Sequence, residues 1–151
     1  MKKKKICLIS SSGGHFEQLM MLKPLEKEYQ IYTVTEKTAY SNKSDIYYIS
    51  QINRQEKMLL FKFLKVFIQS LKIFLKEKPD VIISTGALSV IPTFIIGKLF
   101  KKKLIFIESF AKINSPTLTG KLIYKFADEF IVQWEEMKEI YPKAKFLGSI
   151  Y

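Results

Sequence analysis

The sequence predicts an α/β fold: a Rossmann-like, doubly wound and mostly parallel sheet. Short apolar runs alternate along the chain with helical patterns of about ten residues or more, as in repeated βαβ units. The first apolar run, 6–9, leads into small residues at 10–14 and then into a helical pattern, which is typical of a strand that turns into a helix. No internal repeat or linker-like segment divides the 151 residues, so one domain spanning 1–151 is expected.

Seven strands are predicted where short runs rich in β-branched or aromatic residues end in polar or small residues. In chain order they cover 6–9, 30–35, 45–50, 80–85, 103–108, 130–134 and 145–147. The first run is continuous and apolar, which is typical of a buried strand. The polar segment between the second and third strands, 37–44, is predicted to be a loop.

Helices are predicted where apolar residues recur every three or four positions. In chain order they cover 16–25, 55–77, 88–100, 117–127 and 135–141. Pro79 closes the longest helix, and Pro92 is tolerated in the first turns of the third. Because these helices alternate with strands, the connections are expected to be right-handed crossovers of a mostly parallel sheet.

Composition narrows the class of protein. A hydrophobic fraction of 48% with 14% aromatic residues indicates a folded chain. The single cysteine, Cys7, lies in the first strand; it cannot form an internal disulfide and is interpreted as a buried structural thiol in a reducing, cytoplasmic setting.

The lysines at 2–5 resemble the start of a signal peptide, but the apolar run that follows them is shorter than the about 7–15 residues that a signal peptide requires. No window reaches the ~18 apolar residues of a spanning helix, so a soluble or peripheral protein is expected.

The net charge of +11 is concentrated in one part of the chain. Residues 57–103 carry ten lysines against two acidic residues, a local excess of +8, whereas 104–151 are neutral. Arg54 is the only arginine, and bidentate reading of bases or phosphates favours arginine, so no nucleic-acid partner is expected. The alternative explanation of the excess is a lysine-rich, compositionally biased genome.

The longest predicted helix carries one narrow polar stripe, whose members are three or four residues apart. The stripe consists of Lys62, Lys65, Gln69, Lys72 and Lys76. Almost every other residue there is large and apolar, more than one sheet face can bury. The next helix is apolar on nearly every side, and Lys101, Lys102 and Lys103 follow it. Together they predict an exposed apolar patch rimmed by lysine, as at a membrane surface or a subunit interface. The alternative is two ordinary buried helices.

The segment 10–15, with the sequence SSSGGH, follows the first strand directly. In doubly wound folds ligands bind at the carboxyl ends of the strands. Gly13 and Gly14 permit close approach of a ligand, and free N–H groups at the start of a helix favour negative charge. His15, the only histidine, adds an imidazole, a group that titrates near neutral pH and can take up a proton. A structural role at the start of the helix is the alternative for His15.

Two further strand ends carry polar or small residues. Thr85 and Gly86 follow the fourth strand and are interpreted either as a second phosphate or sugar contact or as a simple turn. Glu108 and Ser109 follow the fifth strand. An ionised carboxylate at the end of a buried strand needs a partner or a functional role, so Glu108 is expected to belong to the site.

These motifs occur together, in order and at the strand ends, in a known glycosyltransferase family. They are Ser12, Gly13, Gly14, His15 and Glu17 in the first loop, Thr85, Gly86, Ser89 and Pro92 after the fourth strand, and Glu108 and Ser109 before the helix that begins near 118. The chain resembles the membrane-associating subunit of the two-part UDP-N-acetylglucosamine transferase of asparagine-linked glycan synthesis. In particular it resembles bacterial relatives in capsule and exopolysaccharide clusters, the enhancer subunits of β-1,4-glycosyltransferases. More distantly it is similar to the N-terminal half of the peptidoglycan lipid-intermediate glycosyltransferase.

The resemblance implies a GT-B glycosyltransferase split into two polypeptides, of which this chain is the N-terminal half. It would bind a lipid-linked acceptor and the anionic cytoplasmic face of the bacterial plasma membrane, as a peripheral protein. A donor-binding partner subunit would hold most of the UDP-sugar site, and the chain would be inactive without that partner. No cofactor is implied beyond the UDP-sugar substrate, and no metal, since no Asp-x-Asp motif occurs.

The resemblance also assigns roles to residues. The catalytic pair would be His15 and Glu17. The acceptor or its phosphate would be bound by Ser12, Gly13, Gly14, Thr85, Gly86, Glu108 and Ser109. The membrane would be contacted by Lys62, Lys65, Lys72, Lys76, Lys101, Lys102 and Lys103.

Two other functions remain open on the sequence. A non-enzymatic membrane scaffold for a transferase shares every feature except the use of His15. A dinucleotide-binding oxidoreductase is the second, because Glu36 follows the second strand where a ribose-binding acid is expected. Against it, the first loop lacks the pattern G-x-G-x-x-G: Ser11 stands at the first glycine position and Glu17 near the third.

Overall fold

The structure, a computed structural model, describes all 151 residues and contains each of the seven predicted strands. In chain order the elements are β1 (Lys5–Ser10), α1 (Gly14–Met20), a first 3₁₀ turn (Lys23–Lys27), β2 (Gln30–Glu36), β3 (Ile46–Ile49), α2 (Leu59–Glu77), β4 (Val81–Gly86), a second 3₁₀ turn (Leu88–Val90), α3 (Ile91–Leu99), β5 (Lys103–Ile107), α4 (Leu118–Ile123), β6 (Glu129–Val132), a third 3₁₀ turn (Glu135–Glu139) and β7 (Lys145–Phe146).

All seven strands form one sheet in the order β3-β2-β1-β4-β5-β6-β7, and every neighbouring pair is parallel. The predicted fold class, a Rossmann-like α/β fold, is confirmed. The order of the strands reverses between β1 and β4, which places a crevice at their carboxyl ends. Cys7 lies in the buried middle of β1, as predicted, and burial raises the pKa of its thiol to about 12.

The helices are shorter than predicted, and two prolines explain part of the difference. The predicted helix 16–25 divides into α1 and the first 3₁₀ turn, which has Pro24 in its first positions. The predicted helix 88–100 divides in the same way, with Pro92 at the start of α3. Proline donates no backbone hydrogen bond, so it fits the first turn of a helical segment. Three other predicted helices also shorten: α2 begins at 59, α4 covers six residues, and the last is a 3₁₀ turn.

The two faces of the sheet are covered unequally. The main core of twenty buried residues lies on the face of α2, α3 and α4, whereas five buried residues lie beneath α1 and the first 3₁₀ turn. β1 serves both cores, because Cys7 and Ile9 point to one face while Ile6 and Leu8 point to the other. β1 is thus one of the strands buried on both faces, and its carboxyl end lies at the point where the strand order reverses.

The side chain of Glu108, a predicted site residue, anchors α4. Its side chain is almost fully buried. The carboxylate accepts hydrogen bonds from Thr117 Oγ1 at 2.9 Å, from Tyr141 OH at 2.9 Å and from the Ser109 N–H at 3.0 Å. Thr117 also caps the N-terminus of α4 through the N–H of Gly120. A buried charge needs partners, and this one finds them on α4 and Tyr141. The role of Glu108 in binding the acceptor stays a prediction.

Gly120 permits the close approach of α4 to this buried carboxylate. A Cβ added at Gly120 would lie 2.2 Å from Glu108 Oε2 and 2.8 Å from both Thr117 Oγ1 and Tyr141 OH. Burial and the charge of Glu108 both raise the pKa of Tyr141, so its hydroxyl remains a hydrogen-bond donor to the carboxylate.

Gly120→Ala should lower the free energy of unfolding by about 2–4 kcal/mol, because the methyl group displaces a buried carboxylate from its donors. Chemical denaturation measures the change. Gly14→Ala is the matched control: an added Cβ there meets nothing within 4 Å, so its stability should be unchanged or raised by up to about 1 kcal/mol. Equal denaturation midpoints for Gly120→Ala and the unmodified protein would contradict the anchoring role of Glu108.

Candidate functional site

The loop between β1 and α1 meets the end of β4 at the point where the strand order reverses. The Ser11 N–H donates to the Gly86 carbonyl at 2.9 Å. His15 Nδ1 lies 2.7 Å from the Thr85 carbonyl oxygen, and Thr85 Oγ1 donates to the His15 carbonyl at 2.6 Å. Two segments that the sequence separates by 70 positions are therefore joined by reciprocal hydrogen bonds at the carboxyl ends of β1 and β4.

These contacts determine which nitrogen of His15 is free. A carbonyl oxygen can only accept, so Nδ1 carries the proton and donates it to Thr85. In the neutral ring Nε2 then carries the lone pair, and it forms no hydrogen bond within the protein. His15 is half-buried at the mouth of the crevice. The arrangement holds Nδ1 on the backbone and leaves Nε2 available to accept a hydrogen bond.

Gly86 supports the imidazole by lacking a side chain. Its φ is +110°, and an added Cβ would lie 3.0 Å from His15 Cε1 and 3.1 Å from Nδ1. Gly13 has a φ of +76° and turns the chain into α1, where its carbonyl accepts from the N–H groups of Phe16 and Glu17. Both glycines are thus required by backbone geometry, Gly86 for the placement of His15 and Gly13 for the turn.

The remaining predicted site residues lie in different surroundings. The Glu17 side chain is exposed on α1 and forms no ion pair. Ser12 is half-buried, and its N–H and Oγ donate to Glu36 Oε2 at 3.5 and 3.3 Å. The Ser109 side chain accepts from the N–H of Ala111 and is buried. The structure therefore brings the residues of 12–15 together with Thr85 and Gly86, whereas Glu108 lies outside that group.

Sequence reasoning missed the pair of glutamines behind the crevice. Gln18 Oε1 accepts from Gln133 Nε2 at 3.0 Å and from the Phe110 N–H at 3.2 Å, and Gln133 Nε2 also donates to the Glu108 carbonyl. Both glutamines are buried. The pair links α1, the segment after β5 and the end of β6. The signal available in the sequence was Gln133, a polar residue near the end of the predicted strand 130–134.

Sequence reasoning also missed a cavity of about 470 Å³ beside the crevice. It lies at the carboxyl end of β2 and beside β3, and the loop 37–44 closes one side. Glu36, considered above only as a ribose-binding acid, lines it together with Thr35 and Ser12.

The predicted exposed apolar face of α2 is confirmed. Val66, Ser70 and Phe74 point into the protein, whereas Leu60 and Phe61 are 79% and 67% exposed. Further exposed apolar side chains on the same helix and at the end of α3 are Leu64, Ile68, Leu75, Leu99 and Phe100. We call these seven exposed side chains the apolar face; two ordinary buried helices would not leave them open to solvent.

The seven lysines predicted to contact a membrane divide into two groups. Three are engaged within the protein: Lys62 pairs with Glu56 at 2.6 Å, Lys103 pairs with Glu129 at 3.1 Å, and the Lys76 ammonium lies 5.3 Å from the centre of the Tyr47 ring. Four form no ion pair: Lys65, Lys72, Lys101 and Lys102. Of these four, Lys102 is half-buried and the others are exposed. None of the helices combines the length and hydropathy needed to cross a lipid bilayer.

Comparison with known proteins identifies relatives over most of the chain. The family model "Oligosaccharide biosynthesis protein Alg14 like" matches residues 29–150. The UDP-N-acetylglucosamine transferase subunit ALG14 of Homo sapiens is 31% identical over 122 residues, which are 73% of this chain and 56% of the human protein. The protein of the same name from Saccharomyces cerevisiae is 48% identical over 48 residues, 31% of this chain and 20% of the yeast protein. The matched region is thus about half of the human relative.

Solved structures share the fold at low sequence identity, and each corresponds to the chain over less than half of its own length. MurG of Acinetobacter baumannii superposes with a TM-score of 0.71 and 18% identity over 85% of this chain and 41% of that one. The UDP-N-acetylglucosamine 2-epimerase of Rickettsia bellii gives a TM-score of 0.76 and 14% identity, over 98% and 45%. These neighbours show a Rossmann-like domain of the GT-B type. Since the family model covers most of the sequence, this chain belongs to the Alg14-like family of oligosaccharide biosynthesis proteins.

Proposed function

We propose that the chain is one subunit of a two-chain glycosyltransferase, which transfers a sugar from a UDP-sugar to a lipid-linked acceptor. The observation that carries the proposal is the oriented His15 at the switch-point crevice of an Alg14-like chain. The human and yeast relatives are named as transferase subunits, and the matching part of MurG is less than half of that chain. A donor-binding partner subunit would supply the opposite wall of the cleft, so this chain alone would show no turnover.

In this proposal His15 accepts the proton of the acceptor hydroxyl at Nε2. The acceptor oxygen forms a bond to the anomeric carbon of the donor as UDP leaves, and the proton moves to the imidazole. Thr85 and Gly86 hold the ring in position. Ser12, Gly13 and Gly14 would contact the phosphate end of the acceptor. Glu17 is exposed one turn along α1, and a direct role for it depends on the partner subunit.

A second candidate function is a non-enzymatic membrane scaffold that activates the partner subunit. The reciprocal hydrogen bonds between His15 and Thr85 favour it, because they join the first loop to β4 whatever Nε2 does. The two functions differ only at Nε2 of His15, which accepts a proton in the enzyme subunit and does not in the scaffold. A substitution that preserves the contact with Thr85 therefore separates the two functions.

We further propose that the apolar face and the free lysines bind the anionic cytoplasmic face of a plasma membrane. Exposed apolar side chains on α2 and at the end of α3 would enter the interface, while Lys65, Lys72 and Lys101 would contact lipid head groups. The setting that we propose is bacterial synthesis of a capsular or exopolysaccharide repeat unit. That setting rests on the sequence resemblance, since the relatives described above are human and yeast proteins.

His15→Ala should lower the turnover of the assembled two-chain enzyme by ~10²–10⁴ without loss of complex, because the proton acceptor is removed. His15→Asn is the matched variant: its amide can still donate to the Thr85 carbonyl but cannot take up a proton. Turnover is measured with a UDP-sugar and a lipid-linked acceptor, at equal amounts of complex determined by size-exclusion chromatography.

Loss of turnover in both variants would support catalysis by His15. Recovery of full turnover in His15→Asn would contradict it and favour the scaffold. Robust turnover by the purified chain without any partner would contradict the two-chain proposal itself.

The triple charge reversal Lys65→Glu/Lys72→Glu/Lys101→Glu should weaken binding to anionic vesicles by about 100-fold, since each lysine near such a surface contributes on the order of 1 kcal/mol. Flotation with phosphatidylglycerol-containing vesicles measures the bound fraction, and binding by the unmodified protein should fall as salt rises. The control Lys121→Glu/Lys125→Glu/Lys138→Glu makes the same change in net charge at exposed positions away from the apolar face. If both variants lost vesicle binding equally, the change in net charge alone would explain the loss, and a specific membrane surface would be contradicted.

A further inference from the structure

The end of β4 departs from regular pairing with β1 beside the first loop. The register places Ile9 of β1 opposite Ser84. The next residue of β1, Ser10, lies opposite Gly86, which leaves Thr85 without a partner on β1. This is a β-bulge of one residue, a feature that locally interrupts the ladder and redirects the groups of the extra residue. The orientation of Thr85 is therefore fixed by contacts other than the pairing with β1.

Two hydrogen bonds hold the peptide unit that joins Thr85 to Gly86, one at each end. The carbonyl oxygen of this unit, which belongs to Thr85, accepts from His15 Nδ1 at 2.7 Å. Its N–H, which belongs to Gly86, donates to Ser84 Oγ at 3.0 Å. In a planar trans peptide the C=O and N–H bonds point in opposite directions. A contact that fixes the N–H therefore also fixes the direction of the carbonyl oxygen that receives the imidazole.

The Ser84 hydroxyl acts at short range and in a buried place. It bonds the N–H two residues further along, which is the arrangement of an ST turn, in which a hydroxyl group bends the backbone locally. Ser84 and Thr85 are both 0% exposed and Gly86 is buried, so these hydrogen bonds lie away from water. Hydrogen bonds in series also polarise one another, so the bond at the N–H strengthens the carbonyl as an acceptor for His15.

A buried serine does not by itself indicate such a role in this chain. Ser70 and Ser89 are also buried, at 3% and 0% exposure, and their hydroxyl oxygens form no hydrogen bond. Ser84 differs from them because its hydroxyl is bonded to the peptide unit that holds His15. It forms no hydrogen bond with His15 itself, so its effect on the imidazole passes through that unit.

We propose that Ser84 is a positioning residue for His15. Its hydroxyl orients the peptide unit between Thr85 and Gly86, the Thr85 carbonyl then holds Nδ1, and Nε2 remains the nitrogen without a proton. The proposal deepens the function proposed above and rests on it only for what Nε2 does in the reaction. The orientation itself is a property of this chain, so it is tested without the partner subunit.

The test measures the two nitrogen signals of His15 in the ¹⁵N-labelled full chain at about pH 8, where an ordinary imidazole is neutral. His15 is the only histidine, so the spectrum contains one imidazole. The unmodified chain should show a protonated Nδ1 and an unprotonated Nε2. In Ser84→Ala the ratio of this tautomer to the other should fall about 5–10-fold, the contribution of one hydrogen bond.

Two variants serve as controls for the nitrogen signals. Ser84→Thr keeps the hydroxyl group and should retain the signals of the unmodified chain. Ser70→Ala removes a buried serine hydroxyl that has no partner, so it should leave both signals unchanged. If Ser84→Ala fails to fold, Ser84→Cys replaces it, because a thiol has a similar size and accepts hydrogen bonds only weakly.

Unchanged nitrogen signals in Ser84→Ala would overturn the proposal, and so would an equal change in Ser70→Ala. In the assembled two-chain enzyme Ser84→Ala should lower kcat about 5–10-fold and leave KM unchanged, since the hydroxyl orients the imidazole and does not bind substrate. A changed tautomer with unchanged kcat would support positioning by Ser84 and contradict catalysis by His15, so the two proposals fail separately.

Discussion

The pairing of β1 with β2 on one side and with β4 on the other is the constraint on which the rest of the structure depends. It buries β1 on both faces and brings the loop after it against the end of β4. At that junction His15 and Thr85 exchange hydrogen bonds, so the orientation of the imidazole follows from the strand order. The crevice, and the cavity beside it, both lie at the carboxyl ends of these central strands.

The two faces of the sheet are covered differently. The face under α2, α3 and α4 holds the main core, and α2 buries only part of its apolar surface there. The remaining apolar surface of α2 is exposed and flanked by lysines without ion pairs, a combination suited to a membrane interface. The α1 face has a smaller core and leaves room for the cavity at the end of β2. The exposed apolar face and the cavity thus lie on different parts of one small domain.

Buried polar groups in this chain differ in how many hydrogen-bond partners the protein gives them. Glu108 is buried and receives donors from α4, Tyr141 and its own backbone, so it acts as an anchor. Glu36 and Thr35 are also buried, yet the protein supplies few donors to the first and none to the second. The chemistry of the side chains is similar at both places; the difference lies in which groups the fold brings near them.

The sequence by itself determined the strand and helix order, the parallel sheet, the buried Cys7 and the apolar excess of α2, because periodicity and β-propensity are local properties of the chain. It also predicted a site at the first loop, from small residues after a buried strand, and that site stays a prediction. Only the tertiary structure decided that Glu108 turns toward α4, that Nε2 of His15 is the free nitrogen, and that Thr35 and Glu36 share a cavity with the loop 37–44. Each of these depends on segments distant in sequence meeting through the strand order, which no local pattern encodes.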